Sequence, residues 1–445
     1  MENNVLLDSY ALTKIQSIIL VAIIAVAAVG GGVAYVLLSD DNQSEDTIKI
    51  GIMADLDDLQ GKQIWQGAKL AEEQINAEGG LLGKQIELIG EDHNIESGAD
   101  MIEVNTALTR LISHHNVDLI IGQISNEIGF GIQDKISENR IIFTSIGANA
   151  ESLSQRVIDE YDKFKYYFSI NFNQSSAFHG MSDVLSYFKD NTDLRKIGFI
   201  SIDIEGWTSI MDGLDTYLTE VYGFDTVYKA AYPIGTFDFS SYFAAAEAAG
   251  VEILVPLVTG DEGIPFIKEW ADRQCPIVIA SGFLVMATFT DCWEWTDGKC
   301  EDIATSNFPI NTGYPLTSKT VPVRNDYINR WGEAPSIAAG LVYDFVRFIL
   351  FDAVERAGTI DSDAVVEALE ETSVETTSAR NFVFTDSHGV MVGENVNDPD
   401  ADYTLAMAFQ WQNGELVPVY PEKIRLEAGA SYTFPDWSGP WDDLN

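Results

Sequence analysis

The 445-residue sequence is poor in cysteine and in basic residues. Its three cysteines, Cys275, Cys292 and Cys300, are too few for a disulfide scaffold and lack the paired spacing of a structural zinc site. Lys and Arg number 26 against 69 Asp and Glu, and the resulting net charge of −43 argues against nucleic acid as a partner. We attribute the acidic excess mainly to solvation of the surface.

Sequence motifs of common enzyme classes are also absent. There is no G-x-S-x-G elbow, no P-loop, no G-x-G-x-x-G after a strand and no H-E-x-x-H. The five histidines are scattered, and the adjacent His114 and His115 end an amphipathic stretch, where neighbouring side chains diverge. We therefore predict no catalytic residue, no metal site and no cofactor.

One long hydrophobic run stands near the N-terminus. The 24 residues from Ile15 to Leu38 carry no charge, and roughly 20 apolar residues suffice to cross a bilayer as a helix. A cleavable signal peptide is the alternative, but its apolar region is typically about 7 to 15 residues, so the length favours a retained anchor. Lys14 before the run places residues 1–14 in the cytoplasm. Residues 39–46 then form a linker, and the ectodomain lies on the extracellular or periplasmic side of the cell membrane.

From residue 47 onward, short β-branched runs alternate with amphipathic stretches. Two series of strand-like runs occur, at 47–53, 85–90, 117–122 and 141–145, and at 196–201, 226–232, 251–258 and 276–281. Parallel strands need crossover helices, so the alternation predicts an α/β protein with two doubly wound parallel-sheet lobes. Asn413-Gly414 between strand-like flanks predicts a tight hairpin near the C-terminus.

The loops that follow the predicted strands are the candidate ligand site. Ligands of open parallel sheets bind beyond the carboxyl ends of the strands, and two facing lobes would enclose one between them. These loops carry glycines, amides and hydroxyls that can hydrogen-bond a small polar ligand, although such residues also simply form turns. They are 54–61, 122–129, 145–152, 203–207, 258–263 and 281–283.

Several sequence blocks occur in the order found in a known family. The most specific is GAKLAEEQINAEGGLLGKQIEL (67–88), and the others include IKIGIMADLDD, VDLIIGQISNE, IIFTSIGANAESL and AGLVYDFVRFILFDAVERAG. Over residues 47–425 the chain resembles the type I periplasmic binding proteins, specifically the Leu/Ile/Val-binding-protein-like receptors of ABC transporters for branched-chain amino acids and amides. The resemblance implies two lobes joined by a three-crossover hinge that close around a ligand.

The resemblance also implies where the chain passes between the lobes. Crossovers are expected near Tyr166–Ser169, near Ile303–Ser306 and near Phe382–Phe384. Lobe 1 then comprises residues 47–168 and 304–381, and lobe 2 comprises residues 169–303 and 382–445.

The family's ligand contacts are only partly matched. In amino-acid-binding members, the serine of a G-x-x-x-S loop and the threonine of an S-x-x-A-T loop hold the ligand carboxylate, and these positions fall on Asn126 and Asn149. The acidic residue that binds the amino group in those members falls near Phe283 in this sequence and is absent. Asp261 or Glu262, on the preceding strand-end loop, can take over that role. A plain branched-chain amino acid is therefore not the expected ligand. The predicted ligand-binding residues are Gln60, Ser125, Asn126, Gly147, Ala148, Asn149, Glu205, Trp207, Thr259, Asp261, Glu262 and Phe283.

Cys292 and Cys300 bracket a seven-residue segment. Outside the reducing cytosol this spacing predicts a disulfide between them, with Cys275 as a buried free thiol.

These features together predict an extracytoplasmic solute receptor that is not an enzyme. It would capture a small polar metabolite, such as an amino acid or an amide, and deliver it to an ABC permease with its ATPase subunits. A cell-surface ligand sensor or structural surface protein that retains the fold without transport is the alternative.

Overall fold

The structure is a computed structural model. It describes residues 47–93, 101–122, 125–148, 150–173, 182, 184–307, 309–392, 403–404 and 407–444, except for the side chain of Glu205. The predicted span 15–38 and the linker lie outside these residues. Within the described ranges, no helix combines the length and the apolar character needed to cross a membrane.

The first sheet has five parallel strands in the order β2-β1-β3-β4-β5. Its strands are β1 Thr47–Ala54, β2 Gln85–Asp92, β3 Leu119–Gly122, β4 Ile142–Ser145 and β5 Tyr167–Ser169. Both β3 and β4 are buried along their whole length, as expected of inner strands that are covered by helices on both faces.

The second sheet is also parallel, with the order β10-β8-β6-β7 and β9 paired to β8. Its strands are β6 Lys196–Ile202, β7 Asp225–Tyr232, β8 Ile253–Val258, β9 Val278–Ile279 and β10 Phe283–Leu284. The two parallel sheets confirm the predicted α/β class. The two-residue strand β10 was not predicted.

A small antiparallel sheet completes the second lobe. It consists of β11 Ala304–Asn307, β12 Met407–Gln412 and β13 Glu415–Tyr420. Asn413 and Gly414 join β12 to β13 with φ values of 53° and 83°. Both residues thus adopt the left-handed conformation that a two-residue hairpin turn requires, and the predicted hairpin is confirmed.

Helices cover the parallel sheets. In the first half of the chain they are α1 Leu59–Ala77, α2 Met101–Thr109, α3 Asn126–Asn139, α4 Glu151–Asp159, α5 Tyr161–Phe164, α6 Val184–Asn191 and α7 Glu205–Tyr217. They continue with α8 Ser240–Ala249, α9 Gly263–Asp272, α10 Val285–Thr288, α11 Cys292–Trp295, α12 Pro309–Thr312, α13 Thr320–Trp331, α14 Ile337–Asp344, α15 Phe351–Ala357, α16 Ser362–Glu370 and α17 Glu422–Glu427. π-helical turns extend α2 and α7 at Arg110–His115 and Leu218–Tyr222, and Phe345–Leu350 joins α14 to α15.

Each lobe is built from two separate stretches of the chain. The first core contains buried residues from 48–172 and from 310–390, whereas the two large cores around the second sheet draw on 184–316 and 407–441. Phe382, Phe384 and Val390 pack in the first core, although the predicted division assigned them to lobe 2. The hydrophobic pattern marks these residues as buried but does not say in which lobe.

Close packing of α14 on α1 holds the late segment to lobe 1. Ser336 caps α14 by accepting a hydrogen bond from Ala339 N–H at 3.2 Å, and its own N–H donates to Gln63 on α1 at 2.9 Å. A Cβ atom added to Gly67 of α1 would lie 2.3 Å from the Ala339 carbonyl oxygen, so only glycine permits this approach.

Candidate functional site

The amino end of α3 and the loop after β4 meet in lobe 1. Ser125 is the N-cap of α3, and its hydroxyl oxygen accepts a hydrogen bond from Ile128 N–H at 3.4 Å. The side-chain oxygen of Asn126 accepts the N–H of Ala150 at 2.9 Å. One amide therefore joins the carboxyl ends of two neighbouring strands, β3 and β4.

Serine and asparagine side chains hold the loop after β4 in place. Ser145 accepts the N–H of Ala148 at 3.0 Å, and Ser169 donates its hydroxyl to the Ala148 carbonyl at 3.3 Å. Asn171 donates to the Gly147 carbonyl at 3.4 Å. These bonds fix Gly147 and Ala148 beside Ser125 and Asn126, so four predicted residues come together.

Ser145, Ser169 and Asn171 were not among the predicted site residues. Each lies at or just after the end of a buried strand, which is the signal that could have identified it. Asn149, the remaining predicted residue of this loop, lies outside the described residues.

The loop between β1 and α1 forms another part of the lobe 1 edge. Asp58 caps α1 by accepting the N–H of Gly61 at 2.6 Å, and Gln60 occupies the first turn in a half-buried position. A Cβ atom at Gly61 would lie 1.6 Å from the carbonyl oxygen of Asp55, which leaves no room for a side chain there. The first turn of α1 is therefore pressed against the end of β1.

In lobe 2 the structure brings two predicted aromatic residues together. Trp207 lies in the first turn of α7, after β6, and Phe283 begins β10. Their rings stack with centroids 5.7 Å apart and planes 10° from parallel. Both side chains are half-buried, so the pair keeps part of its surface accessible.

The residues after β8 have different surroundings. Thr259 is half-buried and Asp261 is exposed, whereas Glu262 is buried and accepts the N–H of Gly235 at 2.9 Å. Burial and the negative charge of Glu262 raise the pKa of the neighbouring Tyr232. Glu262 thus binds the backbone of the loop after β7. Of the two acidic residues predicted to bind an amino group, only Asp261 is exposed to solvent.

Lobe 2 approaches lobe 1 near the amino end of α1. Lys62 in the first turns of α1 forms an ion pair with Glu333 at 3.5 Å. Burial raises the pKa of Asp291 in lobe 2, and the charge of Glu333 raises it further, so the two carboxylates are neighbours. Asn311 of α12 also donates to the Thr288 carbonyl of lobe 2 at 2.7 Å. The carboxyl end of β1 therefore lies on the side of lobe 1 that faces lobe 2.

All three cysteines are buried free thiols in the structure. Cys292 and Cys300 lie against each other, and the hydrogen bond that the Cys292 thiol donates to Cys300, followed by burial, raises the pKa of Cys292. The predicted disulfide is not formed here and stays a prediction. Among the described residues no group of three His, Cys, Asp or Glu side chains is arranged to hold a metal ion.

Comparisons with known proteins agree with this architecture. A family model described as "Periplasmic binding protein" matches residues 47–394. The Leu/Ile/Val-binding protein homolog 7 of Brucella melitensis is 25% identical over 377 residues, which cover 83% of this chain and 89% of that protein. Homolog 8 of the same organism is 24% identical over 386 residues, covering 83% of this chain and 88% of that protein.

Solved structures share the fold. A putative branched-chain amino acid ABC transporter protein from Silicibacter pomeroyi has a TM-score of 0.74 at 17% identity, covering 88% of this chain and all of that one. The branched-chain amino acid transporter substrate-binding protein of Streptococcus pneumoniae, solved with isoleucine, has a TM-score of 0.67 at 20% identity, covering 84% and 100%. Two parallel sheets with polar loops at their carboxyl ends, together with a family model that matches most of the chain, place this protein in the periplasmic binding protein family.

Proposed function

We propose that this protein is the solute receptor of an ABC transporter, and that it captures a small polar solute between the carboxyl edges of its two parallel sheets. The observation that carries the proposal is the convergence of Ser125, Asn126, Gly147 and Ala148 at one sheet edge, on the side of lobe 1 that meets lobe 2. The solute is released unchanged to the permease, which works with ATPase subunits. The names of the relatives favour this role over a surface sensor or structural protein.

We expect a ligand of amino-acid size. The relatives solved with leucine and isoleucine support this size range. The loops of lobe 1 would contact the polar part of the solute, and the stacked Trp207 and Phe283 would pack on its flatter or more apolar part. Gln60, Glu205, Thr259 and Asp261 complete the proposed lining.

The proposal also includes the N-terminal anchor. A helix at residues 15–38 would hold the receptor at the outer face of the cell membrane, with residues 39–46 as the linker to the ectodomain. Fractionation of cells that express the full chain or a chain lacking residues 1–46 tests this part. Full-length protein that is recovered only in the soluble fraction would contradict the anchor.

Ligand-dependent compaction tests the receptor function. X-ray scattering of the soluble ectodomain with a panel of amino acids, amides, urea and short peptides should show a smaller radius of gyration for the ligand that binds. Tryptophan fluorescence should change in parallel, and Trp207→Phe should remove most of the change. The matched control is Trp441→Phe, because Trp441 is fully buried in a core of lobe 2. A panel that produces neither compaction nor a spectral change would refute the function.

A further inference from the structure

Asp55 is a buried carboxylate, so it is not part of the acidic surface that keeps the protein solvated. It directly follows β1 and is only 5% exposed. Its Oδ2 atom has no hydrogen-bond partner within the described part of the chain. A buried charge without a partner is costly, and solubility requires carboxylates at the surface. A ligand that brings a positive charge would compensate this cost.

Two further carboxylates surround the same corner. Asp58, three residues after Asp55, caps α1. Asp92 is the last residue of β2 and pairs in register with Ala54, the last residue of β1. The pKa of Asp58 is raised by burial and, more weakly, by the negative charges of Asp55 and Asp92. The three groups therefore share one electrostatic environment at the carboxyl edge of the sheet.

The strand-end loops supply no Lys or Arg to neutralise this corner or to bind an anionic ligand. Neither Lys nor Arg occurs in any of the loops that follow the strands of the two parallel sheets, which are 55–61, 93–100, 123–126, 146–151, 170–173, 203–207, 233–240, 259–264 and 280–282. The first cation after this loop along the chain, Lys62, is paired with Glu333 at 3.5 Å. A solute carboxylate would meet no Lys or Arg in these loops, while a solute cation would meet a buried anion.

We propose that the solute carries an organic cation, an amine or a guanidine, which binds the carboxylate of Asp55 at the carboxyl end of β1. A metal ion is a poorer candidate, because the described residues contain no cluster of three ligating side chains. This inference rests on the proposed receptor function, since it names the chemical class of the solute for that site. It also gives a physical reason why the amides Asn126 and Asn149 stand where amino-acid-binding relatives carry hydroxyls for a carboxylate.

A charge-matched panel tests the proposal. The probes are the cations agmatine, choline and spermidine, the zwitterions leucine and isoleucine, and the anion 4-methylpentanoate. Binding to the ectodomain is measured by calorimetry in high salt, which screens non-specific attraction to the acidic surface. The tightest probe should carry a net positive charge. Its affinity should fall by about 30-fold or more in Asp55→Asn, since removing one partner of a buried charge pair is costly.

Asp57→Asn is the matched control. Asp57 is exposed in the same loop, so its substitution removes the same charge from the protein and should change affinity by less than about fivefold. If leucine or isoleucine binds with compaction and Asp55→Asn leaves its affinity unchanged, the cation proposal is overturned while the receptor function stands.

The ligand-free protein provides a second readout that does not depend on the panel. Asp55→Asn removes a buried, uncompensated charge and should raise the thermal midpoint relative to Asp57→Asn. A lower midpoint would show that the Asp55 carboxylate stabilises the empty fold, and this result would overturn the proposal even if no probe binds. Failure of every probe to bind or to compact the protein would count against the receptor function itself.

Discussion

Replacing Asp344 by asparagine should remove the pH dependence that one buried carboxyl contributes to stability. Asp344 ends α14 in lobe 1, is 3% exposed, and accepts hydrogen bonds from the Thr377 N–H at 3.0 Å and hydroxyl at 2.8 Å. Burial, only partly offset by these bonds, raises the pKa of Asp344 from 3.8 to about 6. A difference of this size corresponds to about 3 kcal/mol.

The direction follows from proton linkage. Because the Asp344 pKa is higher in the folded protein than in the unfolded chain, the folded state binds the proton more tightly. This stabilising contribution is complete below the ordinary pKa of 3.8 and is lost as the pH rises through about 6. Between about pH 4 and pH 7 the wild type should therefore lose about 3 kcal/mol of unfolding free energy relative to Asp344→Asn.

Urea unfolding at a series of pH values and at constant salt measures this difference. Asp386→Asn is the control, because Asp386 is an exposed carboxylate of the same lobe. Its unfolding free energy should follow that of the wild type at every pH. A constant difference between wild type and Asp344→Asn, or a wild type that gains on the variant as the pH rises, would refute the reasoning.

Three further predictions concern the site, the cysteines and the surface. Asn126→Ala removes the acceptor of the Ala150 N–H, so hydrogen exchange of that amide should accelerate by roughly 5- to 160-fold for a loss of about 1–3 kcal/mol. Asn126→Asp retains an acceptor oxygen and should preserve protection, and equal exchange in all three proteins would contradict the assignment. In protein isolated without reductant, a thiol titration under denaturing conditions should detect Cys275 alone, and three titrating thiols would exclude the predicted disulfide. Reduction of the disulfide between Cys292 and Cys300 should lower the free energy of unfolding by about 2–3 kcal/mol. Finally, a net charge of −43 predicts that the thermal midpoint falls as potassium chloride is diluted, because repulsion between carboxylates is then less screened, and a salt-independent midpoint would contradict this expectation.

Features that arise from local patterns were predictable from the sequence. The strand-like runs at 47–53 and 85–90 became β1 and β2, because alternating β-branched and amphipathic stretches report directly on burial. The hairpin was predictable because the whole signal lies in two adjacent residues, Asn413 and Gly414, which form its turn. The convergence of Ser125 with Gly147 followed from the general position of strand-end loops in parallel sheets.

Features that arise from contacts distant in the sequence were not predictable. The sequence does not distinguish the buried Asp55 from the exposed Asp57, because tertiary packing alone decides which of the two is buried. The sequence also does not indicate that the Glu262 carboxylate accepts the N–H of Gly235, 27 residues away. The strand β10 is too short, at two residues, for any periodicity to reveal it.

The assembly of lobe 1 from residues 48–172 and 310–390 has a consequence for how the protein is made. During translation the strands of the lobe 1 sheet are synthesised first and nearly all of lobe 2 follows. The segment with α14, whose Ala339 backbone packs against Gly67 of lobe 1, is synthesised only afterwards. Lobe 2 in turn waits for β12 and β13, which are synthesised after the late segment of lobe 1. Neither half can therefore mature on its own during synthesis, and a separately folding lobe could be obtained only by splicing its two distant stretches together with a short artificial loop.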